Sequence, residues 1–264
     1  MFSSLANVKY VIAIASGKGG VGKSTVTANL AFAFKALGYR IGVLDADIYG
    51  PSQALMLGNQ NRPQSLDGKT VEPLISHGVH FMSIAALMPE QQSPAIWRGP
   101  MVSGALQQLI RDTQWGELDV LLVDMPPGTG DIALTMVQKV PLSGAVIVTT
   151  PQEIALLDAR KAIEMFRKVE VPVLGIVENM STHVCSHCGH EETIFGEAGG
   201  KNLATAYQTE LLGAVPLLKT IREAADEGRS LELPIYRHMA ALLYHLCTQK
   251  KKNTALFPEV NVDS

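Results

Sequence analysis

Short, continuous runs of apolar residues alternate along the chain with longer segments whose apolar positions follow helical spacing. The runs predict strands at residues 10–15, 40–45, 79–85, 119–124, 144–149, 173–178 and 211–215. Most of these runs, such as Val120 to Val123, are apolar at every position. Such a pattern is typical of strands that are buried on both faces of a parallel sheet.

Helices are predicted between these strands, at residues 22–37, 101–113, 131–139, 154–169 and 199–208. Strands that alternate with helices indicate βαβ units with right-handed crossovers. We therefore expect an α/β fold, with a doubly wound, mainly parallel sheet and helices on both of its faces.

Three segments do not follow this alternation. Residues 59–77 are polar and rich in turn residues, which predicts an excursion between elements. Residues 181–192 carry a cysteine pair in a predicted loop, and the chain from residue 250 onward lacks periodicity. We expect one domain over residues 1–250, with the cysteine loop near 183–190, and a flexible tail over 251–264.

Composition excludes several classes of protein. The 264 residues are 47% hydrophobic, which is enough for a large core, and the formal net charge of −3 provides no overall positive field for nucleic acid. No apolar run approaches the roughly 20 residues that span a bilayer, and no signal peptide precedes the first strand. Three cysteines cannot form a closed disulfide framework. These features predict a cytoplasmic protein without nucleic-acid or membrane partners.

Residues 17–24, with the sequence GKGGVGKS, match the phosphate-binding pattern G-x-x-x-x-G-K-[ST] between a predicted strand and a predicted helix. Glycines allow successive backbone N–H groups to point at phosphate oxygens, and the helix N-terminus adds its positive dipole end. Lys23 would contact the β and γ phosphates, and the Ser24 hydroxyl would bind Mg²⁺. The predicted nucleotide-binding residues of this loop are Gly17, Lys18, Gly19, Gly20, Val21, Gly22, Lys23, Ser24 and Thr25. The motif predicts binding of ATP or GTP with magnesium.

Carboxylates at the ends of two other strands complete a predicted hydrolytic site. Asp124 ends an apolar strand in the Walker B pattern and is a candidate magnesium ligand. The segment 125–131 follows it and contains two glycines, Gly128 and Gly130. We expect this segment to sense the γ-phosphate. Asp45 and Asp47 end the strand after the phosphate-loop helix. A solvated turn would explain them, but hydrolysis needs a group that orients the attacking water, which favours a catalytic role.

Lys18, one position after the first glycine, is the additional lysine of the deviant Walker A subclass, which includes nitrogenase iron protein and the division-site and partition ATPases. Within that subclass the chain resembles the Mrp-type, or ApbC-type, iron–sulfur cluster carrier ATPases. The matching segments are residues 44–52, 97–100, 124–131, 178–181, 185–189 and 221–223. The resemblance extends from about residue 10 to residue 235.

This resemblance implies roles for individual residues. Lys18 would reach across a homodimer to the phosphates bound by the partner, and Asp47 would position the hydrolytic water with Asp45 on the magnesium side. Asn179 would hydrogen-bond the adenine edge, and the loop from Pro216 would cover the base. Members of the family often carry an additional N-terminal domain, and we expect that domain to be missing here.

The cysteine pair Cys185 and Cys188 is flanked by His183 and His190. Its residues permit a thioredoxin-like redox motif, a zinc site completed by nearby histidines, or reduced surface thiols. They also permit half of a four-cysteine cluster site, with the other half on a second chain. Cys247 lies in a predicted amphipathic helix and is interpreted as a buried apolar residue.

The resemblance favours a [4Fe-4S] cluster that bridges two subunits. The resulting hypothesis is an ATP-dependent iron–sulfur cluster carrier that hydrolyses ATP slowly with Lys18, Lys23 and Asp47 as catalytic residues. Its partners would be a second copy of the chain, apo iron–sulfur proteins and assembly scaffold proteins. The alternatives are a spatial-organising ATPase of the division or partition type and a zinc-stapled regulatory ATPase.

Overall fold

The structure is a computed structural model that describes residues 3–65, 67–87 and 99–255. Its strands are β1 (Val8–Ala15), β2 (Ile41–Asp45), β3 (Leu74–Ser76), β4 (Val79–Ser83), β5 (Leu118–Asp124), β6 (Gly144–Thr149), β7 (Val173–Val184), β8 (Glu191–Glu192) and β9 (Glu210–Leu217). Its α-helices are α1 (Lys23–Ala36), α2 (Gln53–Met56), α3 (Gly99–Asp112), α4 (Asp131–Lys139), α5 (Glu153–Lys168), α6 (Gly199–Ala206), α7 (Lys219–Asp226) and α8 (Pro234–Ala255). Short 3₁₀ turns lie at Ser3–Leu5 and Ile84–Leu87.

All of these strands belong to one sheet, in the order β3-β4-β2-β5-β1-β6-β7-β8, with β9 paired to β7. Strand β1 pairs in parallel with β5 and β6, and successive strands are added on both sides of it. The antiparallel pairs are β3 with β4 and β7 with β8. The predicted doubly wound, mainly parallel sheet is therefore confirmed.

Strand β1 is buried on both faces. Val11 and Ala13 pack in a core cluster with residues of α3, α4, α5 and α6, whereas Ile12 and Ile14 pack on the opposite face with residues of α1 and α8. Each of these four side chains is at most 4% exposed. Alternate residues of a strand point to opposite faces, so helices on both faces require an uninterrupted apolar run.

The carboxyl ends of three parallel strands meet at one edge of the sheet. Asp124, at the end of β5, is in register with Ile14 of β1 on one side and with Asp45 of β2 on the other. The phosphate loop follows β1 directly, and ligands of open α/β sheets bind at this edge. The fold thus brings the predicted nucleotide-binding segments together.

The structure differs from the sequence-based prediction at short or polar elements. The predicted excursion over 59–77 contains β3, whose three residues are too few for a periodic pattern. Helix α7 was not predicted, and α8 continues to Ala255, beyond the predicted start of a tail at residue 251. Lysine is a good helix former and is favoured near a helix C-terminus, so the lysines at 250–252 do not end the helix.

Two predicted features lie outside the described residues: Trp97 and Arg98 of the motif at 97–100, and the tail beyond Ala255. Among the described residues, no helix combines the length and the apolarity that crossing a bilayer requires.

Candidate functional site

The phosphate loop connects β1 to α1, and its glycines are required by its geometry. Gly20 and Gly22 have φ angles of 83° and 82°, in the left-handed region that favours glycine. A Cβ on Gly17 would lie 2.0 Å from the backbone carbonyl carbon of Asp158 in α5. A Cβ on Gly22 would lie 2.2 Å from Nδ2 of Asn179. Helix α5 and strand β7 therefore pack directly against the loop.

A cleft of about 210 Å³ opens above this loop. It is lined by Ser16, Lys18, Gly19, Gly20, Gly22, Lys23, Ser24, Thr25, Asp47, Ser52, Met56 and Pro127. Most of the residues predicted to bind nucleotide thus share one cleft with predicted catalytic residues. Gly17 and Val21 contribute to the loop behind it.

Lys23, the first residue of α1, lies between two carboxylates. Its Nζ is 2.5 Å from Oδ1 of Asp124 and 3.7 Å from Oδ2 of Asp47, and it donates a hydrogen bond of 3.3 Å to the Ser24 hydroxyl. The lysine is only 6% exposed. A buried ammonium group is tolerated because acidic partners compensate its charge.

Asp124 is fully buried and accepts hydrogen bonds on both carboxylate oxygens. Besides Lys23, Oδ1 accepts from the Thr27 hydroxyl at 3.3 Å, and Oδ2 accepts from the side-chain amide of Gln53 at 2.8 Å. Ser24 and Asp124, the predicted magnesium ligands, both contact Lys23, so they lie in one cluster. Hydroxyl and carboxylate oxygens are the ligands that Mg²⁺ prefers.

Asp47 belongs to the loop between β2 and α2 and faces the cleft. Its Oδ1 is buried and has no hydrogen-bond partner among the described residues. Burial raises the pKa of Asp47 above its ordinary value, and the neighbouring Lys23 opposes this shift. This oxygen is free to accept a hydrogen bond from a water molecule, as its predicted role requires. Its negative charge also suits a position near a divalent cation.

Asp45 has different surroundings although it is only two residues away. Its carboxylate accepts the backbone N–H groups of Asp47 (3.2 Å), Ser52 (3.0 Å) and Gln53 (3.0 Å), and the Ser83 hydroxyl at 3.1 Å. Burial, reinforced by the charge of Asp124, raises the pKa of Asp45 to about 7. These contacts shape the loop that carries Asp47. Direct contact of Asp45 with nucleotide or magnesium stays a prediction.

Asn179 lies in β7, and its Nδ2 donates a hydrogen bond of 2.8 Å to the carbonyl of Val21 at the end of the phosphate loop. The predicted contact with adenine stays a prediction. The expected start of a loop at Pro216 is wrong, because β9 continues to Leu217 and α7 begins at Lys219. The predicted contact of this segment with the base stays a prediction. Pro216 is tolerated in β9 because it lies near the end of a strand whose pairing with β7 is irregular there.

The cysteine pair lies at the tip of a β-hairpin. The prediction that the strand ends near residue 178 and is followed by a loop is wrong. Strand β7 continues to Val184 and pairs with β8 in an antiparallel ladder. The tip is closed by hydrogen bonds of 2.9 Å from the Cys185 N–H to the His190 carbonyl and from the Gly189 N–H to the Cys185 carbonyl. Cys188 is exposed and Cys185 is half-buried.

The hairpin tip favours a thiolate at Cys185. The backbone N–H of Cys188, and then that of His187, donate to its sulfur and lower the pKa of the Cys185 thiol. Thiolates are the form of cysteine that binds metals. Across the described residues, no group of three or more His, Cys, Asp or Glu side chains could hold a metal ion. Cys247 is buried in α8, as expected.

Comparison with known families agrees with these features. The family described as ParA: NUBPL iron-transfer P-loop NTPase matches residues 7–251. The chain belongs to this family. This match confirms the resemblance of the sequence motifs to those of iron–sulfur cluster carrier ATPases.

Three relatives within this family are similar over most of the chain. The iron-sulfur cluster carrier protein of Pseudomonas fragi is 58% identical over 242 residues, which cover 91% of this chain and 84% of the relative. The protein of the same name from Escherichia coli is 57% identical over 222 residues, covering 84% and 60% of the two chains. The mouse iron-sulfur cluster transfer protein NUBPL is 47% identical over 247 residues, covering 90% and 77%. The chain therefore spans about three fifths of the length of the Escherichia coli relative.

Solved structures share the same fold. A nucleotide-binding protein from Archaeoglobus fulgidus in complex with ADP has a TM-score of 0.77 and 38% identity, covering 88% of this chain and 92% of that one. The cell division ATPase MinD of Pyrococcus furiosus has a TM-score of 0.64 and 20% identity, covering 93% and 99%. The second likeness concerns the fold alone.

Two polar residues that contact Asp124, Thr27 and Gln53, were not predicted from the sequence. Thr27 follows Lys23 by four residues and therefore lies on the same face of α1, which is a signal that helical spacing provides. Gln53 directly follows the motif at 44–52, but its side chain contacts Asp124 only because β2 and β5 are neighbours in the sheet.

Replacing Asp47 by asparagine is expected to slow hydrolysis and to leave nucleotide binding intact. Asparagine keeps the shape of the side chain but lacks the charge that is predicted to orient the attacking water, so we expect the rate to fall about 100-fold or more. Single-turnover phosphate release and equilibrium binding of a fluorescent ADP analogue measure the two effects. Asp226→Asn, at an exposed position on α7, is the control. An unchanged hydrolysis rate in Asp47→Asn would contradict the assignment.

Proposed function

We propose that this protein is an ATP-hydrolysing carrier that binds an iron–sulfur cluster through Cys185 and Cys188 and transfers it to apo-proteins. The observation that carries the proposal is the two-thiol hairpin tip, with backbone donors on Cys185. This tip directly follows β7, the strand that contacts the phosphate loop. Asn179 and Cys185 are six residues apart along this part of the chain. The names of the relatives and the family description support iron–sulfur cargo.

The nucleotide is ATP bound with Mg²⁺. The ADP held by the Archaeoglobus fulgidus protein supports an adenine nucleotide, and the family is one of P-loop NTPases. Ser24 and Asp124 would hold the cation, which neutralises charge on the β and γ phosphates when bound. Lys23 would contact the same phosphates, and Asp47 would orient the attacking water. Lys23 must therefore give up part of its contact with Asp124 when nucleotide binds.

The active site is completed in a homodimer. Lys18 lines the cleft at the phosphate loop, and we propose that it contacts the nucleotide bound by the partner chain. A single chain then lacks one cation of the complete site, which supports slow turnover in the isolated protein. Residues 1–250 form one domain in this proposal, because a single sheet runs through the described part of the chain.

The cluster is a [4Fe-4S] cluster that bridges two subunits. Such clusters are bound by four thiolates, and each chain offers two at the hairpin tip. Two-fold symmetry supplies the other two without any further residue. A zinc site within one chain would need two nearby histidines, but the ring of His183 lies 3.6 Å from the Glu192 carboxylate, and the described residues hold no converging group of three ligands.

The exposed hairpin suits a cluster that has to be handed to another protein. We propose apo iron–sulfur proteins as recipients and assembly scaffold proteins as donors, in the cytoplasm, where thiols remain reduced. The net charge of −3 gives no support to a nucleic-acid partner. A spatial-organising ATPase shares the fold at 20% identity, but that function leaves the cysteine hairpin without a use.

Anaerobic purification and reconstitution test the proposed function. We expect a brown protein with broad visible absorbance, about two iron and two sulfide ions per chain, and transfer of the cluster to an apo-ferredoxin that depends on ATP. Absorbance, metal analysis and recovery of ferredoxin activity are the measurements. A colourless protein with about one zinc ion per chain would contradict the carrier function and support the alternative of a zinc-stapled regulatory ATPase.

Lys18→Ala is expected to weaken dimer formation induced by ATP, because it removes the cation that would reach the phosphates of the partner chain. Sedimentation velocity with and without ATP measures the fraction of dimer. Lys201→Ala, at an exposed position of α6 outside the residues that line the cleft, is the control. If the parent protein sedimented as a monomer with nucleotide and with cluster, the shared-site model would be wrong.

A further inference from the structure

Gln53 is a polar residue in a position from which solvent is fully excluded. It is the first residue of α2 and follows the loop that carries Asp47. Its side-chain Nε2 donates hydrogen bonds to Oδ2 of Asp124 at 2.8 Å and to the backbone carbonyl of Ser24 at 3.0 Å. One nitrogen atom thus contacts both residues that are proposed to hold magnesium.

The orientation of this amide follows from its partners. A carboxylate and a backbone carbonyl are acceptors only, so the NH₂ group of Gln53 must face them, and a flipped amide would bring oxygen against oxygen. The Gln53 Oε1 is then buried without a partner among the described residues. An apolar side chain of the same size would avoid this unsatisfied acceptor, but it could not donate to Asp124.

Gln53 acts on the orientation of the Asp124 carboxylate. Lys23 and Thr27 donate to Oδ1, whereas Gln53 donates to Oδ2. Because donors hold both oxygens, rotation of the carboxylate about its terminal bond would break hydrogen bonds on either side. Lys23 has to contact phosphate during catalysis, which leaves Thr27 and Gln53 as donors to Asp124. Gln53 makes the shorter of these two hydrogen bonds, 2.8 Å against 3.3 Å.

The backbone of Gln53 links the same cluster to the loop that carries Asp47. Its N–H donates to Oδ2 of Asp45 at 3.0 Å, and the other Asp45 oxygen accepts the N–H of Asp47 at 3.2 Å. The residue therefore connects the loop that positions Asp47 with the side chain of Asp124. A shift of Asp124 on binding a cation would be transmitted to this loop through two hydrogen bonds of one residue.

We propose that Gln53 is a positioning residue for magnesium: its amide holds Asp124 and the start of α1 in the geometry that binds the cation, and ties the Asp47 loop to it. The inference rests on the magnesium-dependent nucleotide site of the proposed function. It predicts that Gln53 affects the affinity for Mg²⁺ in the nucleotide complex but not the affinity for nucleotide in the absence of Mg²⁺.

Gln53→Met tests the proposal, because methionine has a similar length and volume but no donor. Binding of a fluorescent ADP analogue is measured first in EDTA and then during titration with Mg²⁺. We expect the half-saturating Mg²⁺ concentration to rise about tenfold, as is typical when a residue that orients a metal ligand is removed. The dissociation constant in EDTA should change less than about twofold. Mn²⁺ bound to the ADP complex, followed by electron paramagnetic resonance, provides a readout independent of fluorescence.

Gln108→Met is the matched control, since Gln108 is an exposed residue of α3 and undergoes the same chemical change. It should require the same Mg²⁺ concentration as the parent protein. Gln53→Asn keeps the amide but shortens the side chain, so it should also raise the Mg²⁺ requirement. It decides the question if Gln53→Met does not fold.

A parent-like Mg²⁺ requirement in Gln53→Met, or in Gln53→Asn if only that variant folds, overturns the positioning role and leaves the proposed function intact. Loss of nucleotide binding in EDTA together with Mg²⁺ binding would also overturn it, because Gln53 would then merely stabilise the loop. A parent protein whose ADP binding does not respond to Mg²⁺ overturns both this inference and the proposed nucleotide site.

Discussion

Lys23→Ala is expected to reduce ATP hydrolysis by about 1,000-fold or more. Lys23 is the cation of the phosphate loop that would contact the β and γ phosphates, where charge develops during transfer. Its Nζ already lies in the cluster with Ser24 and Asp124 that is proposed to bind magnesium. Steady-state phosphate release measures the effect. Turnover equal to that of the parent protein would show that the active site is elsewhere.

The same substitution also removes a buried charge from between two carboxylates. Asp124 is fully buried and the side chain of Asp47 is 12% exposed, so loss of Lys23 leaves their repulsion uncompensated. Breaking a buried ion pair on one side typically destabilises a protein by about 3–5 kcal/mol. We therefore expect a lower unfolding temperature that Mg²⁺ partly restores.

Lys23→Arg separates these two effects. Arginine keeps the positive charge beside Asp124 and Asp47, but its planar guanidinium group does not reproduce the compact ammonium group of lysine. The variant should unfold near the temperature of the parent protein and still hydrolyse ATP poorly. If Lys23→Ala lost activity only because it unfolds, Lys23→Arg would instead be active.

Cys185→Ser and Cys188→Ser are each expected to abolish cluster binding. Serine preserves the size of the side chain, but its hydroxyl is a much poorer ligand for iron than a thiolate. Each substitution would remove two of the four ligands from the proposed cluster, in which two-fold symmetry supplies two cysteines from each chain. After anaerobic reconstitution, iron should fall from about two ions per chain to background, and the visible absorbance should be lost.

His183→Ala and His190→Ala are the controls for the cysteine variants. Both histidines flank the hairpin tip, and only a zinc site within one chain would need them. They should leave iron content and absorbance largely unchanged. Retention of the cluster in either cysteine variant would contradict the bridging arrangement, and zinc that is released by the histidine substitutions would contradict the carrier function itself.

The local chemistry of the nucleotide site could be predicted from the sequence. The loop from Gly17 to Ser24 is contiguous, so the spacing of its glycines, lysine and serine determines how it folds around phosphate. The apolar runs of β1, β5 and β6 are long enough to identify buried parallel strands. Such signals depend on neighbours along the chain, and the structure confirms the elements that they predict.

Contacts between distant segments were decided by the tertiary structure. Gln53 and Asp124 are 71 residues apart, and Asn179 and Val21 are 158 residues apart. Their proximity depends on the strand order of the sheet. Asp45 and Asp47 are the same residue type, so the sequence alone does not distinguish their roles. In the structure, Asp45 accepts hydrogen bonds from the loop backbone, whereas Asp47 lines the cleft.

The sequence by itself determined the fold class, the phosphate loop and the presence of a two-thiol motif. The last two are encoded by adjacent residues, and the fold class follows from the order of strands and helices that local patterns identify. Only the tertiary structure decided that β7 continues to Val184 and that β8 folds the cysteines into a hairpin. Strand β8 has only two residues, Glu191 and Glu192, both exposed, so no apolar pattern marks it. Its pairing with β7 comes from backbone hydrogen bonds. Because neither face of β8 is buried, no pattern of side chains in the sequence specifies this pairing.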